Sequence, residues 1–411
     1  MAKDNPLTRS LAGVIGLFFI GLMFLLCVCT MPWTLGRATG PDGTTLNVAR
    51  YNAGDTQEAR LSPIWWPRPE AERIRLNTLV PVVERQRIAD EHGLELDAVA
   101  RTVDGEVGRE LRRHWPTRGR PLHYFLGTDA LGRSLMLRVL AGGGISLSIG
   151  IAAAIISVFI GTLYGALAGY LGGKADAFMM RVVDILYGLP YILLVVLLAV
   201  AVDAAVENWT GSRIERITEI RIAYVERGLE QAPAGVDREA LAEELRERAV
   251  DRYGTGDLPE AWRRVVDVMA LLVAIGAVSW LTLARVVRGQ VLSLKNQPFV
   301  EAARAMGAPT RRVFFRHLMP NLVGAIVVYA TLAVPQAILQ ESFLSFLGIG
   351  VRPPLPSWGN LAAEGLGELN THKSDWWLLL FPCLLLGTTL LAVNFVGEGL
   401  REAFDPKRSR R

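Results

Sequence analysis

Residues 139–173 read VLAGGGISLSIGIAAAIISVFIGTLYGALAGYLGG, and from Val139 to Gly173 the run holds no Asp, Glu, Lys, Arg or His. At about 1.5 Å of rise per residue, a helix of this length outspans the ~30 Å hydrocarbon core of a bilayer. Backbone N–H and C=O groups in lipid must be paired within the spanning structure, so the run is predicted to be a transmembrane helix. Five more charge-free runs accompany it: Leu11 to Met31, Ile185 to Val202, Val268 to Ala284, Leu318 to Gln340 and Trp376 to Gly397. One such run could be a buried helix of a soluble protein. Six in one chain predict an all-α membrane protein with six transmembrane helices.

Composition agrees. The chain has 411 residues, 51% hydrophobic and 20% charged, with a mean hydropathy of +0.29. That is too apolar for a disordered or nucleic-acid-binding chain and unusual for a soluble domain, so the charge must be concentrated in loops. The net charge of +4 is mild, and in a membrane protein it reflects basic cytoplasmic loops before nucleic acid. Cys27, Cys29 and Cys383 all fall inside apolar runs and form no CxxC or Cys/His spacing. Neither a disulfide framework nor a metal site is expected from them.

The loops orient the runs. Between the fourth and fifth, Arg285, Arg288, Lys295, Arg304, Arg311, Arg312 and Arg316 oppose one acid, Glu301; the C-terminal tail carries Arg401, Lys407, Arg408, Arg410 and Arg411. Both ends and the loop 285–320 are therefore expected in the cytoplasm. The expected division is a tail and first span (1–31), an external region (32–138), spans two and three (139–202), a second external region (203–267), spans four to six (268–397) and a cytoplasmic tail (398–411). A third external stretch, 341–375, lies between spans five and six. Lys3 and Arg9 ahead of an apolar run fit a secretion signal. The run fills a membrane, however, and the nearest small-residue triplet, Ala38-Thr39-Gly40, lies beyond Pro32 and Arg37, so an uncleaved anchor is expected. Leu26 and Val28 precede the first two cysteines where a lipoprotein has a small residue, which argues against lipidation.

The two large external regions differ. Residues 33–125 are rich in Pro, Arg, Trp and Glu; Ser62 to Pro69 reads as ordered loop, and the region fits either a small subdomain or a long excursion. In 203–267, Ile214, Ile217, Ile220, Tyr224 and Val225 recur at helical spacing, as do Leu241, Leu245 and Ala249. With Ala232 to Gly235 between them, a helical hairpin is predicted. Asp237 suits the cap of its second helix and Pro259 the first turn of a helix entering span four. Asp203 to Arg263 hold fourteen acids and nine bases, a net of minus five, against plus six over 285–320. This is a solvated insertion or a docking surface for an external partner. Asn208-Trp209-Thr210 matches a glycosylation sequon, a three-residue pattern short enough to arise by chance.

The segment 300–320, VEAARAMGAPTRRVFFRHLMP, is the most informative stretch of the basic loop, and its chemistry alone fits an ordinary amphipathic interfacial helix. A short helix from Phe299 to Met306 should stop at Gly307, and Pro309 should start a second through Arg316. Ala302, Ala303 and Ala305 would let another surface approach closely, while Val313, Phe314 and Leu318 would anchor the second helix at the membrane boundary. The segment resembles the EAA loop of bacterial ABC-importer permeases, with Glu301, Ala302, Ala303 and Gly307 at the family's spacing. His317 and Pro320 stand where the peptide-permease branch has them. Leu126 to Arg133, Ser345 to Gly359 and Asn394 to Pro406 are similar to further motifs of that branch, in the same order along the chain. Ser134 departs from the usual Asp.

The resemblance, which is to the C-type subunit of dipeptide/oligopeptide permeases in the bacterial inner membrane, implies half of a translocation pathway with no cofactor. It also implies a second permease subunit, two ATPase subunits that receive residues 299–318, an extracytoplasmic solute-binding protein and surrounding lipid. On that reading Glu301 contacts the ATPase or caps the loop, Gly307 makes the turn, and Arg311 and Arg312 face the partner or lipid headgroups. The sequence has no P-loop, since Ala168 and Ala175 flank Gly173-Lys174 where Gly and Ser/Thr are needed. An ion-gradient-driven transporter would need carboxylates inside its spans, and the runs as drawn hold none. A membrane-anchored enzyme would have to draw on His92, His114 and His123, which no ligand or triad spacing organises. Pro190, Pro335 and Pro382 fall within the predicted spans as potential kinks, and Asp184 and Glu341 fall at span ends, where interfacial hydration is expected.

Overall fold

The computed structural model describes residues 11–39, 43–233, 236–369 and 374–404. Lys3, Arg9, Gly40, Ala234, Gly235, Asp405, Pro406, Lys407, Arg408, Arg410 and Arg411, invoked above, lie outside the described residues. Leu11–Val28 (α1) and the short Met31–Thr34 (α2) lead into an antiparallel hairpin of Arg37–Thr39 (β1) and Thr45–Ala49 (β2). Five helices follow: Glu70–Thr78 (α3), Val82–His92 (α4), Leu96–Arg101 (α5), Gly105–Leu111 (α6) and Pro116–Gly119 (α7). Too short to be stable alone, they close around Leu61, Leu76, Ile88, Val99, Leu111 and Tyr124. Buried Asn77 ties this core together, donating to the carbonyls of Ala100 and Thr102 at 3.1 and 3.0 Å and accepting from Trp115 Nε1 at 2.9 Å.

The remaining helices are Leu135–Leu171 (α8), Gly173–Gly188 (α9), Tyr191–Glu230 (α10), Arg238–Tyr253 (α11), Glu260–Leu294 (α12), Pro298–Ala305 (α13), Thr310–Arg312 (α14), Met319–Phe346 (α15), Trp358–Gly367 (α16) and Trp377–Phe404 (α17). Among the described residues, six stretches are long and apolar enough to cross a membrane: Gly13–Thr34, Leu135–Leu171, Tyr191–Glu230, Trp262–Leu294, Thr310–Phe346 and Trp377–Glu402. The architecture is all-α, with α12, α15, α1 and α16 packed on α8.

Five expected runs are too short, all for one reason. Each is bounded at an ionisable residue, yet α8 begins four residues before Val139 and carries Arg138 inside it, α10 continues past Val202 through Asp203, α12 past Ala284 through Arg285 and Arg288, α15 past Gln340 through Glu341, and α17 past Gly397 through Glu398 and Arg401. A helix runs through a charge when the fold supplies its partner, so the boundary is a tertiary property. The start of the third span also differs, at Tyr191. Ile185 to Gly188 belong to α9, and Pro190 stands in the break at the N-cap of α10 rather than within a span. Pro335 and Pro382 do lie inside helices.

The hairpin also differs in shape. Its first arm is not a separate helix: α10 runs unbroken from the membrane segment to Glu230. Against this arm Leu245 of α11 packs on Gly228, and Tyr224 meets Tyr253 edge-on at 5.7 Å. Asp237 caps α11 by accepting from the Glu239 and Ala240 amides at 3.0 and 3.4 Å. Pro259 is the residue before α12, one position outside the expected first turn.

Why α8 and α12 lie so close is written in α8. Gly161, Gly165 and Gly169 recur every four residues and so share one helix face. An added Cβ would come within 2.8, 2.2 and 2.9 Å of the carbonyl oxygens of Trp280, Ala284 and Arg288. Without a hydrophobic effect between helices in lipid, such backbone contact is a main source of association.

Candidate coupling loop and membrane cavity

The loop after α12 is shaped by three local signals. Pro298 occupies the first turn of α13, where its missing N–H costs nothing. Gly307 takes φ +76°, its N–H reaches Arg304 O at 2.9 Å, and the Ala308 N–H reaches Ala303 O at 3.0 Å. This is a Schellman closure, which favours glycine because a side chain in the left-handed region costs about 1–2 kcal/mol. The second helix is not short: Thr310 to Phe346 is continuous, with a π-helical turn over Val313–Leu318. That wide turn directly precedes Pro320, which cannot donate to the carbonyl one turn back.

The structure sorts the predicted coupling residues into two faces. Glu301, Ala302, Gly307, Arg311, Arg312 and Pro320 are exposed, His317 is half-buried, and Ala303 is only 3% exposed. Ala303 therefore cannot offer a partner close approach; it seats α13 on its own chain, while Ala302 and Ala305 remain open. Val313, Phe314 and Leu318 likewise pack inward, with Val300, Leu283, Val287 and Val291, rather than into lipid. His317 contributes its carbonyl to the Asn321 side-chain amide at 2.6 Å.

Three of the seven loop cations are committed within the chain. Arg288 grips Asp176 of α9 through two bonds of 2.5 and 2.6 Å, Arg285 pairs with Asp184 at 2.9 Å, and Lys295 Nζ donates to Gly169 O at 2.9 Å. The Arg288 guanidinium holds the Asp176 carboxyl below the usual carboxylate range. Arg304 lies over Tyr170 at 5.9 Å. The cationic surface left open is Arg304, Arg311, Arg312 and Arg316. None of the three internal pairs was legible beforehand.

At the opposite end of α8, the 126–133 motif is a loop wrapped around one carboxylate. Asp129 accepts from the amides of Leu131 and Arg133 at 2.9 Å each, and from the side chains of Arg133 and Arg138 at 2.7 Å each. Arg138, 3% exposed, also reaches Glu364 of α16 at 2.5 and 2.9 Å. Ser134 caps α8, its hydroxyl 3.5 Å from the Leu137 amide, so it does at this position what an Asp would do. In the 345–359 motif, Ser357 and Asn360 form a capping box on α16. Glu341 is not hydrated at a span end as expected. It is fully buried, bonded by the hydroxyls of Ser345 at 2.7 Å and Ser342 at 3.2 Å. Asp184, by contrast, is exposed.

Among the described residues, His92, His114 and His123 do not converge on a reactive centre. His92 faces Glu110 at 3.4 Å, within a cluster that Arg87 already bridges to Glu84, Glu91 and Glu110. His123 instead faces the Gly132 carbonyl at 3.3 Å, and burial together with Arg120 keeps its imidazole below the ordinary histidine value.

The described spans border two sizeable cavities that bear on transport. One, of about 490 Å³, is an apolar groove between α8 and α15 lined by residues such as Ile155, Phe159, Phe315 and Ile326. The other, of about 450 Å³, lies between the α9–α10 break, α12 and α15 and is lined by Tyr187, Tyr191, Ser279, Thr282, Gln336 and Gln340 among apolar neighbours. A search of the runs for charges passes over these amides and hydroxyls, although the pairs 279/282 and 336/340 sit at helical spacing.

Comparison with known proteins places this architecture. Residues 161–410 match the family model "Binding-protein-dependent transport system inner membrane component". The oligopeptide transport system permease protein OppC of Haemophilus influenzae is 40% identical over 285 residues, covering 69% of this chain and 71% of that protein. The dipeptide transport system permease protein DppC of Bacillus subtilis is 37% identical, covering 70% of each. OppC of Escherichia coli K12 is 41% identical, covering 69% and 72%. The family match over residues 161–410, which takes in the basic loop with its glycine cap and four of the six apolar helices, makes this chain a member of the binding-protein-dependent transport system inner membrane components, a multi-pass permease of the bacterial inner membrane.

Proposed function

We propose that the chain is one of two pore-forming subunits of an ATP-driven importer of peptides or similar small solutes. It works with a second permease subunit, two ATPase subunits and an extracytoplasmic solute-binding protein. The loop 285–320 faces the cytoplasm, and 32–138, 203–267 and 341–375 face outward. The relatives' oligopeptide and dipeptide transport supports peptides as the solute class. The chain itself performs no catalysis; ATP is hydrolysed on separate subunits.

The observation that carries the reading is the two-faced α13. Its inner face, Val300 and Ala303, is seated against the chain's own core. Its outer face presents Glu301, Ala302, Ala305, Met306 and Gly307 without covering. Force applied by an ATPase to this short helix passes into α12 through the adjoining turn and into α15 through the continuous helix beginning at Thr310, a rigid-body coupling. Glu301, Arg311 and Arg312 supply the polar contacts, His317 and Pro320 fix the turn into the span, and the small Ala302 and Gly307 permit close approach.

Gly307→Trp tests this. A Cβ at Gly307 meets nothing within 4 Å, so beyond the left-handed backbone strain that any side chain brings there, which Gly307→Ala reproduces as the control, the indole projects outward into the space the partner occupies. The variant should insert normally, while ATPase co-purification and peptide uptake fall by about ten-fold or more, since lost complementarity of 1.4 kcal/mol already costs ten-fold. Normal ATPase co-purification would refute the coupling assignment. Uptake that persists when an uncoupler collapses the proton gradient, and stops without ATP, separates this reading from a gradient-driven transporter.

A further inference from the structure

The polar cavity between α9, α10, α12 and α15 takes Ser279, Thr282, Gln336 and Gln340 from well inside two segments long and apolar enough to cross a membrane, and Tyr191 from the start of a third. Its polar groups are hydroxyls and amides, none charged at neutral pH. Tyr191 Oη and Ser279 Oγ lie 2.8 Å apart, and the Ser279 hydroxyl is also 2.8 Å from Ile275 O and 3.1 Å from Gln340 Oε1. One serine proton cannot serve both acceptors, so this cluster retains hydrogen-bonding capacity for a guest. One turn further along α15, Gln336 is exposed and makes no hydrogen bond among the described residues, and Thr282 of α12 is exposed beside it. Unsatisfied amides facing hydrocarbon are costly, so this face opens onto protein or water rather than lipid. The backbone agrees: the chain leaves helical geometry between Gly188 and Tyr191, where Leu189 lines the cavity, and broken helix at membrane depth is tolerated where it borders a water-filled space. At the cytoplasmic mouth, the Arg285 guanidinium lies 4.1 Å from the Tyr187 ring centroid.

We propose that this cavity is the chain's share of the solute pathway and that it holds the peptide backbone through Tyr191, Ser279, Thr282, Gln336 and Gln340. This rests on the permease reading above and adds the recognition chemistry. Neutral donors and acceptors match the C=O and N–H groups that every peptide carries, so passage does not depend on peptide sequence. They also hold a charged peptide weakly, as a conduit must if its guest is to leave.

The test uses the assembled transporter in everted membranes, with Cys27, Cys29 and Cys383 replaced by Ala. Single substitutions Thr282→Cys and Gln336→Cys are labelled with a membrane-impermeant maleimide, against the apolar, exposed α10 position Leu197→Cys. The cavity positions should label about ten-fold or more faster than Leu197→Cys, because a thiol in lipid is shielded from a water-soluble reagent. Labelling no faster than at Leu197 overturns the proposal whatever the uptake result, since water access is read without substrate. In parallel, Gln336→Leu and Gln340→Leu should lower uptake of trialanine and trilysine by equal factors while ATPase co-purification stays normal. A loss confined to one of the two peptides overturns backbone recognition. Absence of uptake of any peptide by the unsubstituted transporter, with fast labelling intact, counts against the permease reading instead.

Discussion

Gly165→Ala is a methyl-sized test of the α8–α12 contact. The new Cβ would sit 2.2 Å from Ala284 O, more than an ångström inside ordinary contact, and 2.9 Å from Ala284 Cα. Both are backbone atoms, so no side chain can rotate away, and the two helices must part or shift. Overpacking of this kind costs about 1–3 kcal/mol, and a backbone clash belongs at the upper end. Replacing a helical glycine by alanine returns about 1 kcal/mol of propensity, leaving roughly 2 kcal/mol of net destabilisation. Gly289→Ala in α12 is the internal control: its Cβ meets nothing within 4 Å, so it should stabilise by about 0.5–1 kcal/mol through propensity alone. Thermal loss of the monodisperse peak in size-exclusion chromatography should come several degrees lower for Gly165→Ala than for the unsubstituted protein, and unchanged or higher for Gly289→Ala. If Gly165→Ala melts at or above Gly289→Ala, the helices do not touch through this face, and the account of their packing is wrong.

Replacing residues 203–267 by a short linker should preserve assembly with the ATPase and second permease subunits. The arms pack on each other, Gly256 against Ile214 and Gly228 against Leu245, and Arg352 reaches the segment at its edge through Asp203; failure to co-purify those subunits would make the hairpin structural. Asp176→Asn should loosen α9 from α12 at a cost of roughly 1–3 kcal/mol, the range for charge-assisted hydrogen bonds. Because Arg288 lowers the folded-state pKa of Asp176, this stabilisation is complete above the ordinary value of 3.8 and is lost only as pH falls through the lower folded value. The melting difference between the variant and the unsubstituted protein should therefore be constant between about pH 6 and 8 and close only below about pH 4; a difference that varies across the neutral range would contradict the pairing.

Much of this molecule is written in contiguous stretches of its sequence. Hydrophobic runs and local hydrogen-bonding signals are properties of contiguous residues, so the number of spans, the glycine that ends α13 and the Asp237 cap of α11 follow from sequence. The four-residue spacing of Gly161, Gly165 and Gly169 is equally a property of contiguous sequence. The spans' ends were not readable. Arg138 stays inside α8 because Glu364 lies 226 positions away in sequence and 2.5 Å away in space.

By itself the sequence determined an all-α membrane protein with a basic loop and a family resemblance anchored in Glu301, Ala302, Ala303 and Gly307. Only the tertiary structure decided that Ala303 turns inward, that Glu341 is enclosed by serines, that Arg288 is spent on Asp176, and that Tyr191, Ser279 and Gln340 meet around one cavity. Burial and pairing depend on what lies across the bundle. Asp176 and Arg288 are 112 positions apart along the chain, and nothing in either neighbourhood specifies the other until the helices have packed.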